Sequence, residues 1–139
     1  MRAFDTDVLT EILLGNPVFV THAATIPPHE QTVPVVVIEE LLRGRLQVIR
    51  QAEAGQARVS LSRAYDLFEQ TLRDIQQITI PSYTPQADAL YTHWRQQRIR
   101  VPTHDLRIAA ICVISTATLI SRNRRDFVQI PGLQVEFWD

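Results

Sequence analysis

Apolar positions along the chain change period repeatedly, and the changes predict short strands alternating with longer helices. Residues 2–5 read as a first strand. It runs into a helix with apolar positions Val8, Leu9, Ile12 and Leu13, which Gly15 stops. Residues 17–25 suit a second short helix closed by Pro27 and Pro28. Residues 33–37 are a β-branched run with a proline near its start, the pattern of a buried strand. A long helix is predicted next, with its stripe at Ile38, Leu41, Leu42, Leu46 and Ile49 and its end at Gly55.

The second half continues the alternation. One amphipathic helix carries Leu61, Ala64, Tyr65, Phe68, Leu72 and Ile75, and residues 78–80 form a brief strand before Pro81. Thr84-Pro85 starts a helix through Ala87, Leu90, Tyr91 and Trp94. Thr103 then caps a helix that is apolar on nearly every side, which implies burial on more than one face. Residues 117–120 are a strand, 121–126 a polar loop, Pro131-Gly132 a turn, and 135–137 a last strand. Strands joined through helices by short connections predict an α/β fold, a mainly parallel sheet covered on both faces. The whole chain, 1–139, reads as a single domain, a size able to build one ordinary core.

In such sheets ligands bind outside the carboxyl ends of the strands. Asp5 closes the first strand, Glu40 follows the second, Asp105 sits in the first turn of the buried helix, and Asp126 lies in the loop leaving a later strand. Four carboxylates therefore gather at one sheet edge. Two ionised carboxylates about 4 Å apart repel by about 4 kcal/mol at an effective dielectric near 20, so such a cluster calls for a cation. Oxygen-only donors suit Mg²⁺ or Mn²⁺, and the histidines (His22, His29, His93, His104) show no ligand-like spacing.

Among neighbouring polar residues the choice is less direct. Glu39 has Arg43 four positions on, a natural solvent-side pair, which leaves Glu40 to face the sheet edge. Asp7 either joins the cation's shell or caps the first helix, and its position favours the cap. Ser121, Arg122 and Asn123, in the loop with Asp126, are candidates for orienting a carboxylate or meeting substrate.

Charge narrows the partner. A net charge of −1 argues against a protein that grips nucleic acid by bulk electrostatics. Yet seven arginines (95, 98, 100, 107, 122, 124 and 125) face one acid, Asp105, between Tyr91 and Arg125, a basic stretch suited to phosphate. No apolar run approaches the roughly 18 residues of a membrane span, and the N-terminus lacks a signal-peptide core, which together predict a cytoplasmic protein. The lone Cys112 lies inside an apolar run and reads as packing.

These motifs together resemble the PIN-domain ribonucleases, and most closely the VapC-type toxins of toxin–antitoxin modules. FDTDVL resembles the family's opening strand and first acid, IEELLRG its second motif with Glu40, PTHDLRIAA its third with Asp105, and ATLISRNRRDFVQIPGLQVEFW its C-terminal block. The resemblance implies an α/β/α sandwich, a Mg²⁺-dependent endoribonuclease acting on RNA, a homodimer, and neutralisation by a small antitoxin protein. Three positions depart from the family pattern: Thr116 in place of glycine, Ser121 in place of threonine, and Asn123 in place of a fourth acid, with Asp126 as its substitute.

Two rivals compete. DTDVLT also resembles the motif of haloacid-dehalogenase-type phosphatases, which would make Asp5 and Asp7 the reacting pair. Those enzymes balance the aspartyl-phosphate with a lysine, and every cation here is an arginine. The other rival is a PIN-like module that binds RNA or protein without cutting. A P-loop enzyme is excluded because its phosphate-cradling motif is absent.

Overall fold

The computed structural model describes residues 1–139. Its frame is a four-stranded sheet built from β1 (Arg2–Phe4), β2 (Gln31–Thr32), β3 (Thr118–Ser121) and β4 (Val135–Phe137) in the order β2-β1-β3-β4. All neighbours run parallel, with Arg2 opposite both Gln31 and Thr118, and Leu119 opposite Val135. From β1 the chain moves to β2 on one side and later returns to β3 on the other. The crevice at the carboxyl ends of β1 and β3 is therefore the sheet's topological switch point.

Helices α1 (Thr6–Leu13), α2 (Pro17–Ala24), α3 (Val35–Glu53), α4 (Leu61–Gln76), α5 (Pro85–Gln96), α6 (Thr103–Ile114) and the short α7 (Arg124–Phe127) flank the sheet. Their apolar faces join one core cluster of 27 buried side chains. Its centre is α6, where Leu106, Ile108, Ala109, Ala110, Ile111 and Cys112 are all buried, as its all-round apolar pattern requires. Each fully buried Leu or Ile there stabilises by about 1.5–3 kcal/mol, so α6 is anchored firmly enough to hold its first turn against the crevice. No helix is long and apolar enough to cross a membrane.

Four local expectations are corrected. Residues 33–37 are not a strand: β2 ends at Thr32, Pro34 is an N-cap, and Val35 begins α3. The Pro34 carbonyl accepts from the N–H groups of Val37 and Ile38, and Val36 and Val37 are buried in the core. Burial outweighs a β-propensity that spans only about 1 kcal/mol. The strand expected at 78–80 shrinks to a single parallel bridge, Thr79 to Thr32, although Val33 and Val35 still donate to the carbonyls of Thr79 and Pro81. The stretch expected as a polar loop, 121–126, instead ends β3 at Ser121 and enters α7 at Arg124, whose N-cap Asn123 accepts from the Asp126 N–H at 3.3 Å. Thr103 is not a cap, because Pro102 holds that position and the Thr103 hydroxyl instead accepts from Arg95.

Candidate functional site

Asp5 is the first residue past β1, and its backbone N–H donates to the Ile120 carbonyl of β3, which ties it to the switch point. It is also the N-cap of α1: Oδ1 accepts from the Val8 N–H at 2.9 Å. This corrects the assignment of the cap to Asp7, which lies in the first turn of α1 and lines the same cleft. The physical reason is a strand one residue shorter than its pattern suggests, which moves the helix start back to Thr6.

The cleft has a volume of about 240 Å³ and is lined by Asp5, Thr6, Asp7, Glu40, Asp105 and Asn123, with no apolar residue. Glu40 reaches it from the second turn of α3, where its Oε1 accepts from the Thr6 hydroxyl at 2.7 Å. Glu39, its neighbour, pairs outward with Arg43 at 2.9 Å. Asp105 enters from the first turn of α6, where the positive end of the helix dipole favours an anion.

Neighbouring acids leave a mark on the two innermost carboxyls. Asp5, only 5 % exposed, is pushed up to about 6, chiefly by burial and then by the charges of Asp7 and Glu40; hydrogen bonds from Ser121 and Val8 pull the other way. Asp105 is also pushed up to about 6, first by burial and then by Glu40, Asp5, Asp126 and Asp7. No cationic side chain lines the cleft to offset this repulsion.

Asp126 contributes charge to the site without lining it. Its Oδ2 accepts from the Asn123 side-chain amide at 2.8 Å. Asn123 thus holds Asp126 while itself facing the cleft, and its N–H donates to the fully buried Ser121 hydroxyl at 2.9 Å. Arg122 stands apart: it pairs with Glu11 at 3.5 Å and lies 5.3 Å over the Phe19 ring. The arginines expected as a basic rim are dispersed, Arg124 pairing with Asp139 and Arg95 bonding to the Ile99 carbonyl. His104 contacts Glu39 at 3.3 Å. Thr6 was not singled out by sequence reasoning; the available signal was a hydroxyl flanked by two acids directly after a strand.

Whether this donor set suits a divalent cation can be judged from its chemistry. No three acidic, histidine or cysteine side chains converge into a ready-made cage. Mg²⁺ does not need one, because it keeps several waters and takes only one or two protein carboxylates. A purely polar cleft walled by uncompensated carboxylates fits such an ion.

No family model and no curated protein matches the sequence. The fold is nevertheless that of the PIN-domain toxins, and the likeness to solved toxin–antitoxin chains runs the whole length. A chain of VapBC2 from Rickettsia felis, bound to a DNA fragment from their promoter, is 19% identical with a TM-score of 0.72, covering 99% of this chain and 98% of that one. A chain of DNA-bound VapBC from Salmonella typhimurium is 18% identical with a TM-score of 0.76, at 99% and 98% coverage. FitAcB from Neisseria gonorrhoeae gives 16% identity and a TM-score of 0.73, at 97% and 96% coverage. At these identities the likeness is one of fold.

Proposed function

We propose that the chain is a Mg²⁺- or Mn²⁺-dependent endoribonuclease that hydrolyses RNA phosphodiesters as the toxin of a toxin–antitoxin pair. The observation that carries this reading is the cleft at the switch point, walled by Asp5, Asp7, Glu40 and Asp105 with no cation or apolar side chain among its lining. A phosphodiester is itself an anion, and a cleft of this charge repels it unless a cation intervenes. Asp5 and Asp105 would hold the ion, with Glu40 reaching it through water and Asp126 adding negative charge from outside the lining. When bound, the ion supplies charge neutralisation and Lewis-acid polarisation of the scissile phosphate.

The chain's own contribution is to fix the carboxylates in place before substrate arrives. Val8 and Ser121 orient Asp5, Thr6 orients Glu40, and Asn123 orients Asp126. Single-stranded RNA suits the site, since its backbone is free to enter a narrow cleft. The expected partners are a second copy of the chain and a small antitoxin. A cytoplasmic location accords with such a role.

The test is cleavage of a mixed structured RNA pool by purified, partner-free protein, with Mg²⁺, with EDTA, and with the Asp5→Asn variant in parallel. Cutting that requires the metal and disappears in the variant supports the reading. Folded wild-type protein that cuts nothing under any divalent metal overturns it in favour of a binding-only module.

A further inference from the structure

A second cavity shares two of the helices that wall the acidic cleft. On α3, Glu40 faces the cleft while Glu39 lines the second cavity; on α6, Asp105 faces the cleft while Arg107 lines the second cavity. Its remaining walls are Val35, Val36 and Tyr83, and its volume is about 250 Å³. Each polar wall is held in place. The Tyr83 hydroxyl donates to Asp88 at 2.8 Å. The Glu39 carboxylate accepts from Arg43 at 2.9 Å through one oxygen and meets His104 at 3.3 Å through the other, which leaves lone pairs free. Arg107 lies 5.2 Å over the Tyr91 ring, and none of the chain's ion pairs includes it.

We propose that this cavity is a nucleobase subsite that takes a guanine of single-stranded RNA next to the phosphate held at the acidic cleft. The inference rests on the reading of that cleft as the scissile-phosphate site. An apolar floor with an aromatic wall suits a flat, unstacked base, and a carboxylate on the wall argues against a phosphate occupant. The two polar groups then select the base. A carboxylate accepts two adjacent donors, which guanine offers as N1–H and the N2 amine, while the Arg107 fork donates to guanine O6 and N7. Adenine lacks the adjacent donor pair, and uracil would turn two carbonyls toward Glu39.

The experiment is fluorescence anisotropy of short single-stranded RNAs bound to the Asp5→Asn protein in Mg²⁺, the oligonucleotides differing only in guanine, inosine or adenine at one position. The guanine oligonucleotide should bind roughly tenfold or more tightly than the adenine one, with inosine between them because it lacks the N2 amine. Arg107→Ala and Glu39→Gln, checked for intact helical content by circular dichroism, should each erase most of the preference. Arg107→Lys, which keeps the charge without the planar fork, should lose most of it as well. Equal affinities for all three RNAs, no RNA binding, or a guanine preference that survives these variants overturns the proposal. Cleavage by the wild type without base preference would sink the subsite and leave the nuclease standing. Guanine-selective binding by a wild type that never cuts would do the reverse.

Discussion

The Thr6 hydroxyl donates to Glu40 Oε1 at 2.7 Å, joining the first turn of α1 to α3 across 34 positions of sequence. This bond aims a carboxylate that otherwise has several rotamers at the end of a flexible stem. Thr6→Val keeps the shape and removes the donor, so turnover should fall by about tenfold while stability changes by no more than about 1 kcal/mol. Thr6→Ser should restore most of the rate. Single-turnover cleavage together with urea midpoints checks this; a Thr6→Val enzyme as fast as wild type would remove Thr6 from the positioning of Glu40.

Asp5 combines two jobs with opposite energetic signs, since its cap stabilises α1 and its buried charge opposes folding. Its carboxyl ionises near 3.8 when unfolded and at about 6 when folded, so the folded state holds the proton more tightly. Its contribution therefore favours folding at low pH and is lost as pH rises from about 4 to 6 and beyond. The loss is on the order of 2–3 kcal/mol by neutral pH. Asparagine is as good an N-cap as aspartate. Asp5→Asn should thus abolish cleavage, raise the urea midpoint at pH 8 in EDTA, and flatten the stability profile between pH 5 and 8. A variant less stable than wild type at pH 8 would show that the charge supports the fold.

Added Mg²⁺ should act in the same direction on the wild type. An ion that neutralises Asp5 and Asp105 stabilises the folded state by mass action and removes the penalty of their ionisation. The melting temperature at pH 8 should rise with Mg²⁺ concentration, and the rise should be smaller at pH 5, where protons compete for the same oxygens. Asp5→Asn should respond less than wild type at both values. A Mg²⁺ response that is equal in the variant and the wild type would place the ion elsewhere.

The positions of the acids were legible because each is tied to an element boundary that periodicity marks: a strand end for Asp5, a buried helix's first turn for Asp105. Glu40 was separable from Glu39 by the i,i+4 partner Arg43, and the structure contains that ion pair. What escaped the sequence depends on contacts it does not encode locally. Three consecutive valines read as a strand until the core that buries Val36 and Val37 is known. The choice of Asp5 over Asp7 as cap turned on a single residue of strand length, and the Thr6–Glu40 bond joins segments that only tertiary packing brings together.

Thr116 lies in the left-handed region with φ of 57°, at the turn between α6 and β3. A β-branched side chain is strained there, at a cost of about 1–2 kcal/mol. Glycine adopts this conformation freely but loses more chain entropy on folding. Thr116→Gly should stabilise by a net amount of roughly 0.5–1 kcal/mol, read from the urea midpoint, with cleavage unchanged. Destabilisation would mean that the threonine side chain contributes contacts outweighing its strain.

Cys112 is fully buried on α6 beside a small cavity of about 80 Å³ bounded also by Val113, Thr116, Ala117, Gly132 and Gln134. Burial, reinforced by the charge of Asp5, pushes its thiol up to about 12. The thiolate is therefore essentially absent at neutral pH, and reaction with iodoacetamide should require unfolding of the chain. Cys112→Ala should cost about 1 kcal/mol through lost packing. Cys112→Ser should cost more, roughly 1–3 kcal/mol, because it places a hydroxyl among apolar neighbours. Both variants should keep the wild-type cleavage rate per folded molecule. A folded Cys112→Ala protein with greatly reduced turnover, or alkylation of the native protein faster than it unfolds, would assign the thiol a chemical role that its burial argues against.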